Sequence, residues 1–70
     1  MKNYLIEFTN SRKTITACGA DVYEAIEKAV GKVLGKVVKH IHIQHTNSEY
    51  EMYGVTLADY KQISVYVITL

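Results

Sequence analysis

The feature that most constrains this chain is one amphipathic helical segment, roughly residues 21 to 36. Its apolar residues recur at i, i+3, i+4 and i+7 without interruption, as in a helix that buries one face. They are Val22, Ala25, Ile26, Ala29, Val30, Val33, Leu34 and Val37. Glutamates and lysines occupy the opposite side, so we expect the helix to cover an apolar surface and to leave its outer side in solvent.

The sequence also marks both ends of this helix. Asp21 followed three residues later by Glu24 has the spacing of a capping box, with aspartate where serine or threonine is commoner. Gly35 is suited to the left-handed residue that ends many helices. Gly31 and Gly35 form a GxxxG pattern, but in a lysine-rich helix this pattern loses its membrane meaning. We interpret Gly31 as a point of close backbone approach.

Two strands are predicted before the helix. Residues 2 to 9 and 13 to 18 alternate in polarity and flank a turn at Asn10 and Ser11, which is typical of a hairpin. The residues expected to face inward are Tyr4, Ile6, Phe8, Ile15 and Ala17.

Three further strands are predicted after the helix. Residues 38 to 45 alternate, residues 50 to 55 form a strand broken at Gly54, and residues 56 to 62 form a loop or one short helical turn. Residues 63 to 70 are apolar on both faces, which is typical of a central strand or of one covered on both sides. This last strand could also pair edge to edge with a second copy of the chain.

These elements predict an α+β fold: an antiparallel sheet of four to five strands with one amphipathic helix on one face, in the order ββαβββ. Seventy residues leave room for one core, so residues 1–70 are expected to form a single domain. Cys18 is the only cysteine, and no signal-peptide or membrane-span pattern is present. We therefore expect a soluble, cytoplasmic protein with no membrane association.

The charge balance is nearly neutral, with eight basic and seven acidic residues. This argues against a dedicated nucleic-acid-binding protein and leaves self-association unopposed. A single-stranded nucleic-acid-binding domain is nevertheless one alternative, because six tyrosines could stack on unpaired bases. The basic strip that would bind the backbone comprises Arg12, Lys13, Lys28, Lys32, Lys36 and Lys39.

No catalytic or phosphate-binding motif occurs, and Cys18 is interpreted as a small filler residue, so neither an enzyme nor a cofactor is predicted. His40 and His42 should lie on the same side of a strand, which raises a histidine-based metal-binding protein as a second alternative. His45 has the opposite parity and joins them only if the strand bends or bulges. We prefer the interpretation that His40 and His42 are two exposed histidines on a sheet face, and we assign no metal ligand.

One helix can shield only one face of such a sheet, so the other face meets water or a partner. By alternation that face carries Leu5, Thr14, Thr16, His40, His42, Tyr53, Tyr66 and Ile68, which is more apolar and aromatic than solvent requires. We predict a non-enzymatic protein-protein interaction module, as a homodimer, a small inhibitor or an adaptor. Its predicted interface comprises Leu5, Thr16, His40, His42, Tyr53, Tyr66 and Ile68. The alternative is an exposed sheet that binds nothing.

The stretch from Lys13 to Gly35, KTITACGADVYEAIEKAVGKVLG, runs from a strand through a small-residue turn into a capped helix. It resembles a pattern common in small proteins of phages and other mobile elements, among them anti-CRISPR and other anti-defence proteins. The resemblance implies a host-directed inhibitor that blocks a defence complex by occlusion, without chemistry of its own. It carries no functional residue over, and the near-neutral charge departs from the acidic members that mimic nucleic acid.

Overall fold

The computed structural model describes all 70 residues, which form five strands and one helix joined by short turns and loops. The elements are β1 (Lys2–Phe8), β2 (Thr14–Gly19), α1 (Val22–Leu34), β3 (Val38–Thr46), β4 (Glu51–Leu57) and β5 (Gln62–Thr69). All strand pairs are antiparallel and form one sheet in the order β2-β1-β5-β4-β3. The predicted α+β fold with the order ββαβββ is confirmed.

The apolar last strand, β5, lies in the middle of the sheet. It pairs with β1 on one side and with β4 on the other, so both of its edges are occupied. The prediction of a central strand is therefore confirmed. Edge-to-edge pairing of this strand with a second copy is wrong, because its backbone donors and acceptors already serve β1 and β4. The edges of the sheet are β2 and β3.

Both ends of α1 follow the sequence signals. The Asp21 carboxylate accepts a hydrogen bond from the Glu24 backbone N–H at 2.9 Å, and the Glu24 carboxylate accepts one from the Ala20 N–H at 3.0 Å. At the other end Gly35 has φ 65°, and its N–H donates to the Gly31 carbonyl at 3.1 Å. These bonds satisfy backbone groups that the first and last turns of a helix leave without partners.

Gly31 does not mediate close packing. A Cβ atom built at this position would meet nothing within 4 Å, and the residue is exposed. The prediction of close backbone approach at Gly31 is therefore wrong, because the apolar stripe of α1 that faces the sheet lies on the other side of the helix.

The core lies between α1 and one face of the sheet, which we call the covered face. Strands contribute alternate residues to it and α1 contributes its apolar stripe. The buried residues are Tyr4, Ile6, Phe8, Ala25, Ile26, Ala29, Val30, Tyr53, Val55, Leu57, Val65 and Val67. The helix contacts β2, β1 and β3, so it crosses the sheet from one edge strand to the other.

Strand β4 runs through Gly54 without a break. Its pairing with β5 keeps one register from Glu51 to Thr56, and the chain then turns back over residues 58–61. The turn is closed by the Leu57 N–H, which donates to the Lys61 carbonyl at 2.8 Å. The predicted interruption at Gly54 is wrong, because both flanking strands supply backbone partners along β4.

The helix α1 has 13 residues, and no helix of the structure has the length and apolar character that crossing a membrane requires.

Candidate protein interface

The face of the sheet opposite α1 carries no other element, and we call it the bare face. Its members are fixed by strand register, because directly paired residues of antiparallel strands point to the same side. They are Asn3, Leu5 and Glu7 of β1, Thr14, Thr16 and Cys18 of β2, Gln62, Ser64, Tyr66 and Ile68 of β5, Met52, Gly54 and Thr56 of β4, and His40, His42 and His45 of β3.

The bare face is almost free of charged side chains. Glu7 is the only aspartate, glutamate, lysine or arginine among the residues of this face that pair across the strands. Glu7 is exposed and has no cationic partner, since the two ion pairs of the structure are Lys28–Glu24 and Lys36–Asp59. Every lysine and arginine lies in α1, in a turn, at a strand end or at an irregular position of β3. Core regions of protein interfaces show the same depletion of charge.

Apolar and aromatic side chains meet on one half of the bare face. The Tyr50 and Tyr66 rings are in edge contact with centroids 5.1 Å apart, and Ile68 beside them is 41% exposed. Together with Glu7 they line an open crevice of about 260 Å³. Leu5 pairs with Ile68, and Met52 pairs with Tyr66, which extends the apolar surface across three strands.

The three histidines all lie on the bare face. His40 and His42 pair with Thr56 and Gly54, and their rings stack with centroids 6.0 Å apart. A register shift between Ile43 and His45 inserts one residue, so His45 pairs with Met52 and turns to the same side. The bulge that sequence parity required for His45 is therefore present.

This arrangement of histidines does not form a metal centre. The His45 ring lies 6.2 Å from the Tyr50 ring, away from the other two, and no group of three or more histidine, cysteine, aspartate or glutamate side chains is placed to hold a metal ion. No carboxylate forms an ion pair with a histidine either. The imidazoles are thus available as hydrogen-bonding and stacking groups on an exposed surface.

Gly54 shapes the histidine side of the bare face. A Cβ atom at this position would lie 2.5 Å from Cε1 of His42 and 2.7 Å from Nε2 of Gln44, so the absent side chain lets both groups lie flat on β4. The Gln44 Oε1 in turn accepts a hydrogen bond from the Ser64 hydroxyl at 3.2 Å. These residues border an open polar groove of about 340 Å³ that continues to Thr9 and Asn10.

Tyr53 is not part of this face, although the sequence predicted it there. Its side chain is 3% exposed in the core, with its ring 5.9 Å from that of Tyr23 on α1. Its hydroxyl donates a 2.9 Å hydrogen bond to Glu51. Burial, together with the Glu51 carboxylate, raises the pKa of the Tyr53 hydroxyl above its ordinary value. The physical reason is the unbroken register of β4, which places Tyr53 on the side of Val55 and Leu57.

The other six predicted interface residues occupy the bare face: Leu5, Thr16, His40, His42, Tyr66 and Ile68. Sequence reasoning missed Glu7, Met52 and Tyr50 as members of the same surface. Alternation from Leu5 within β1 marks Glu7, and alternation through Gly54 within β4 marks Met52. Tyr50 precedes β4 in the structure, but the same alternation through Met52 marks it in the predicted strand over residues 50 to 55.

The residues of the predicted basic strip differ in their surroundings. Lys28 contacts the Cys18 carbonyl and Glu24, and Lys36 contacts Asp59. The Lys39 Nζ lies 2.9 Å from the Tyr60 hydroxyl and over its ring. Arg12 and Lys13 lie in the turn between β1 and β2, and Lys32 lies on α1. Half of the six cations thus already have partners within the chain.

Cys18 lies on the bare face as an exposed free thiol at the β2 edge of the sheet. Comparison with family models, with curated proteins and with solved structures finds no match for this chain.

Proposed function

We propose that this chain is a non-enzymatic protein-protein interaction module that binds its partner through the bare face. The observation that carries the proposal is the combination of exposure and missing charge on a five-stranded sheet. The solvated face of an antiparallel sheet is ordinarily polar, and lysine and glutamate are the residues that interfaces exclude. The chain has eight basic residues, and none of them is among the paired strand residues that form the bare face.

The chemistry of the bare face also supports a protein partner. Tyrosine is enriched in interface hot spots because it combines a large apolar ring with a polar end. Tyr50 and Tyr66 are half-buried against each other, so they are already held in place before a partner arrives. Binding to groups held in place loses less conformational entropy than binding to free side chains.

The test is site-specific photocrosslinking in the cell that produces the protein. A benzophenone amino acid replaces Thr16, which is exposed on the bare face, or Glu27, which is exposed on α1. We expect discrete protein adducts from position 16 and none from position 27. In the Ile68→Asp background the adducts at position 16 should disappear while the circular dichroism spectrum is unchanged. Equal adducts at both positions, or none at either, would contradict the proposal.

A host defence complex is one partner that the resemblance to mobile-element proteins suggests. Expression of the chain in a bacterium with an active CRISPR system should then restore transformation by a targeted plasmid. The Ile68→Asp variant should fail to restore it, and the Glu27→Lys variant should behave as the original chain. Unchanged plasmid restriction across a panel of such systems would contradict this version only.

Nucleic-acid binding remains the competing proposal, and the distribution of lysines disfavours it. Three of the six cations of the predicted strip are held by partners within the chain. Fluorescence anisotropy with a labelled single-stranded oligonucleotide decides the matter. We expect no binding whose strength falls steeply with salt, whereas a strong salt dependence would favour this alternative.

A further inference from the structure

We propose, on the basis of the function proposed above, that the partner on the bare face is a second copy of this chain. The two sheets would pack face to face, related by a two-fold axis that runs along β5. In such a dimer both contact surfaces are the same patch, as in any two-fold interface.

The size of the bare face reaches the smallest area expected of a specific interface. Five strands spaced at about 4.8 Å, with about seven residues each at about 3.3 Å, give a face of roughly 500 Å². Two such faces bury about 1,000 Å² together, which reaches the lower bound of specific interfaces. Sheets that pack in this way lie about 10 Å apart, which the side chains of Tyr66 and Ile68 can fill from both sides. The molecule measures 31 × 22 × 20 Å, so this face is a large part of one side.

The position of Glu7 selects the axis. In aligned packing, where the strands of the two facing sheets run along nearly the same line, the two-fold axis runs either along the strands or across them. An axis across the strands near Tyr66 places β1 of one copy opposite β1 of the other and brings the two Glu7 carboxylates together. Repulsion between these like charges disfavours this arrangement. An axis along β5 places β1 of one copy opposite β4 of the other, and β2 opposite β3, because β5 is the third of five strands.

The axis along β5 gives Glu7 a complementary neighbour. Glu7, Tyr66, Met52 and His45 lie in one row across the sheet, linked by direct pairing. Rotation about β5 places Glu7 opposite Met52 of the second copy and one strand spacing from its His45. An imidazole N–H donates to a carboxylate whether the ring is neutral or protonated. The acid on the bare face, which forms no ion pair in its own chain, thus finds a donor, His45, in the other copy.

The remaining contacts also match under this rotation. Tyr66 meets Tyr66 and Ile68 meets Ile68 on the axis, so the most apolar strand positions face each other. His45 of β3 opposes Thr14 of β2, because both lie in the row of Tyr66, and the threonine hydroxyl can accept and donate hydrogen bonds. A net charge of +1 opposes the approach of two copies only weakly.

Sedimentation equilibrium tests the proposal with charge variants of the whole chain. Glu7→Lys and His45→Glu should each raise the dimer dissociation constant at least tenfold. The double variant restores opposite charges across the axis and should return the constant to within about threefold of the original value, as a coupled pair does. Glu27→Lys makes the same change of charge on α1 and should leave the constant unchanged.

A second pair of variants tests the face itself. Ile68 on the bare face is 41% exposed and Ile43 on the other side of the sheet is 50% exposed, so the two isoleucines are matched. Ile68→Asp should abolish the dimer and Ile43→Asp should preserve it, with circular dichroism confirming the fold of each. A monomer at every concentration to about 1 mM overturns the proposal, as does a dimer that Ile43→Asp alone disrupts. Crosslinks from position 16 to other proteins only, with a monomeric chain, overturn the dimer and leave the proposed function standing.

Discussion

Replacement of Tyr53 by alanine should lower the free energy of unfolding far more than replacement of Tyr66 by alanine. Tyr53 is 3% exposed, contacts Tyr23 and donates to Glu51, whereas Tyr66 is half-exposed on the bare face. Truncation of a buried aromatic ring costs about 3–5 kcal/mol, through lost burial and the cavity that remains. Truncation of the partly exposed Tyr66 should cost about 1 kcal/mol or less in the isolated chain.

These magnitudes decide whether the variants fold. At about 0.05–0.15 kcal/mol per residue, a chain of this length has roughly 4–10 kcal/mol of stability in all. Tyr53→Ala therefore removes a third or more of it and should show a weak or absent folded baseline. Tyr53→Phe keeps the ring and loses one hydrogen bond to a carboxylate, so it should cost about 1–3 kcal/mol.

The assay is urea unfolding followed by far-ultraviolet circular dichroism, at low micromolar protein and again after tenfold dilution. The dilution matters because self-association adds stability that depends on concentration. The expected order of destabilisation is Tyr53→Ala, then Tyr53→Phe, with Tyr66→Ala at or below the latter. A cost below about 1 kcal/mol for Tyr53→Ala would refute the assignment of Tyr53 to the core, and so the β4 register on which the bare face rests.

Three further perturbations test local features of the fold. Gly31→Ala should raise the unfolding free energy by about 0.5–1 kcal/mol in the same urea assay, because the position is open and alanine favours the helix. Gly54→Ala should change that free energy by less than about 1 kcal/mol, since the groups it displaces are flexible side-chain ends, while the His42 ring resonances shift by NMR. The hydrogen bond from Lys36 lowers the pKa of Asp59, so the pair stabilises the fold above the unfolded pKa of about 3.9 and loses this effect as pH falls through the lowered folded value. Asp59→Asn should therefore be less stable than the original chain near neutral pH, and the two should converge in strong acid.

The parts of the fold that the sequence predicts well depend on local chemistry. The ends of α1 follow from Asp21, Glu24 and Gly35, each acting on backbone groups within one turn. The hairpin of β1 and β2 follows from alternation on both sides of a short turn. In both cases one element fixes its own geometry, so no knowledge of distant contacts is needed.

The errors on the candidate site arise where geometry depends on neighbouring strands. Gly54 has the composition of a strand break, but β3 and β5 hold β4 on both sides, and continuous pairing moves Tyr53 into the core. The opposite happens in β3, an edge strand with a partner on one side only, where register shifts occur at two places. One of them turns His45 onto the bare face. Alternation therefore remains valid in the strands held on both sides and also in the β2 edge, and it fails only in the β3 edge, where an extra residue disrupts one ladder. The same asymmetry explains why the sequence leaves the side of His45, the donor proposed to meet Glu7, dependent on a bulge: His45 lies on the one strand with register shifts.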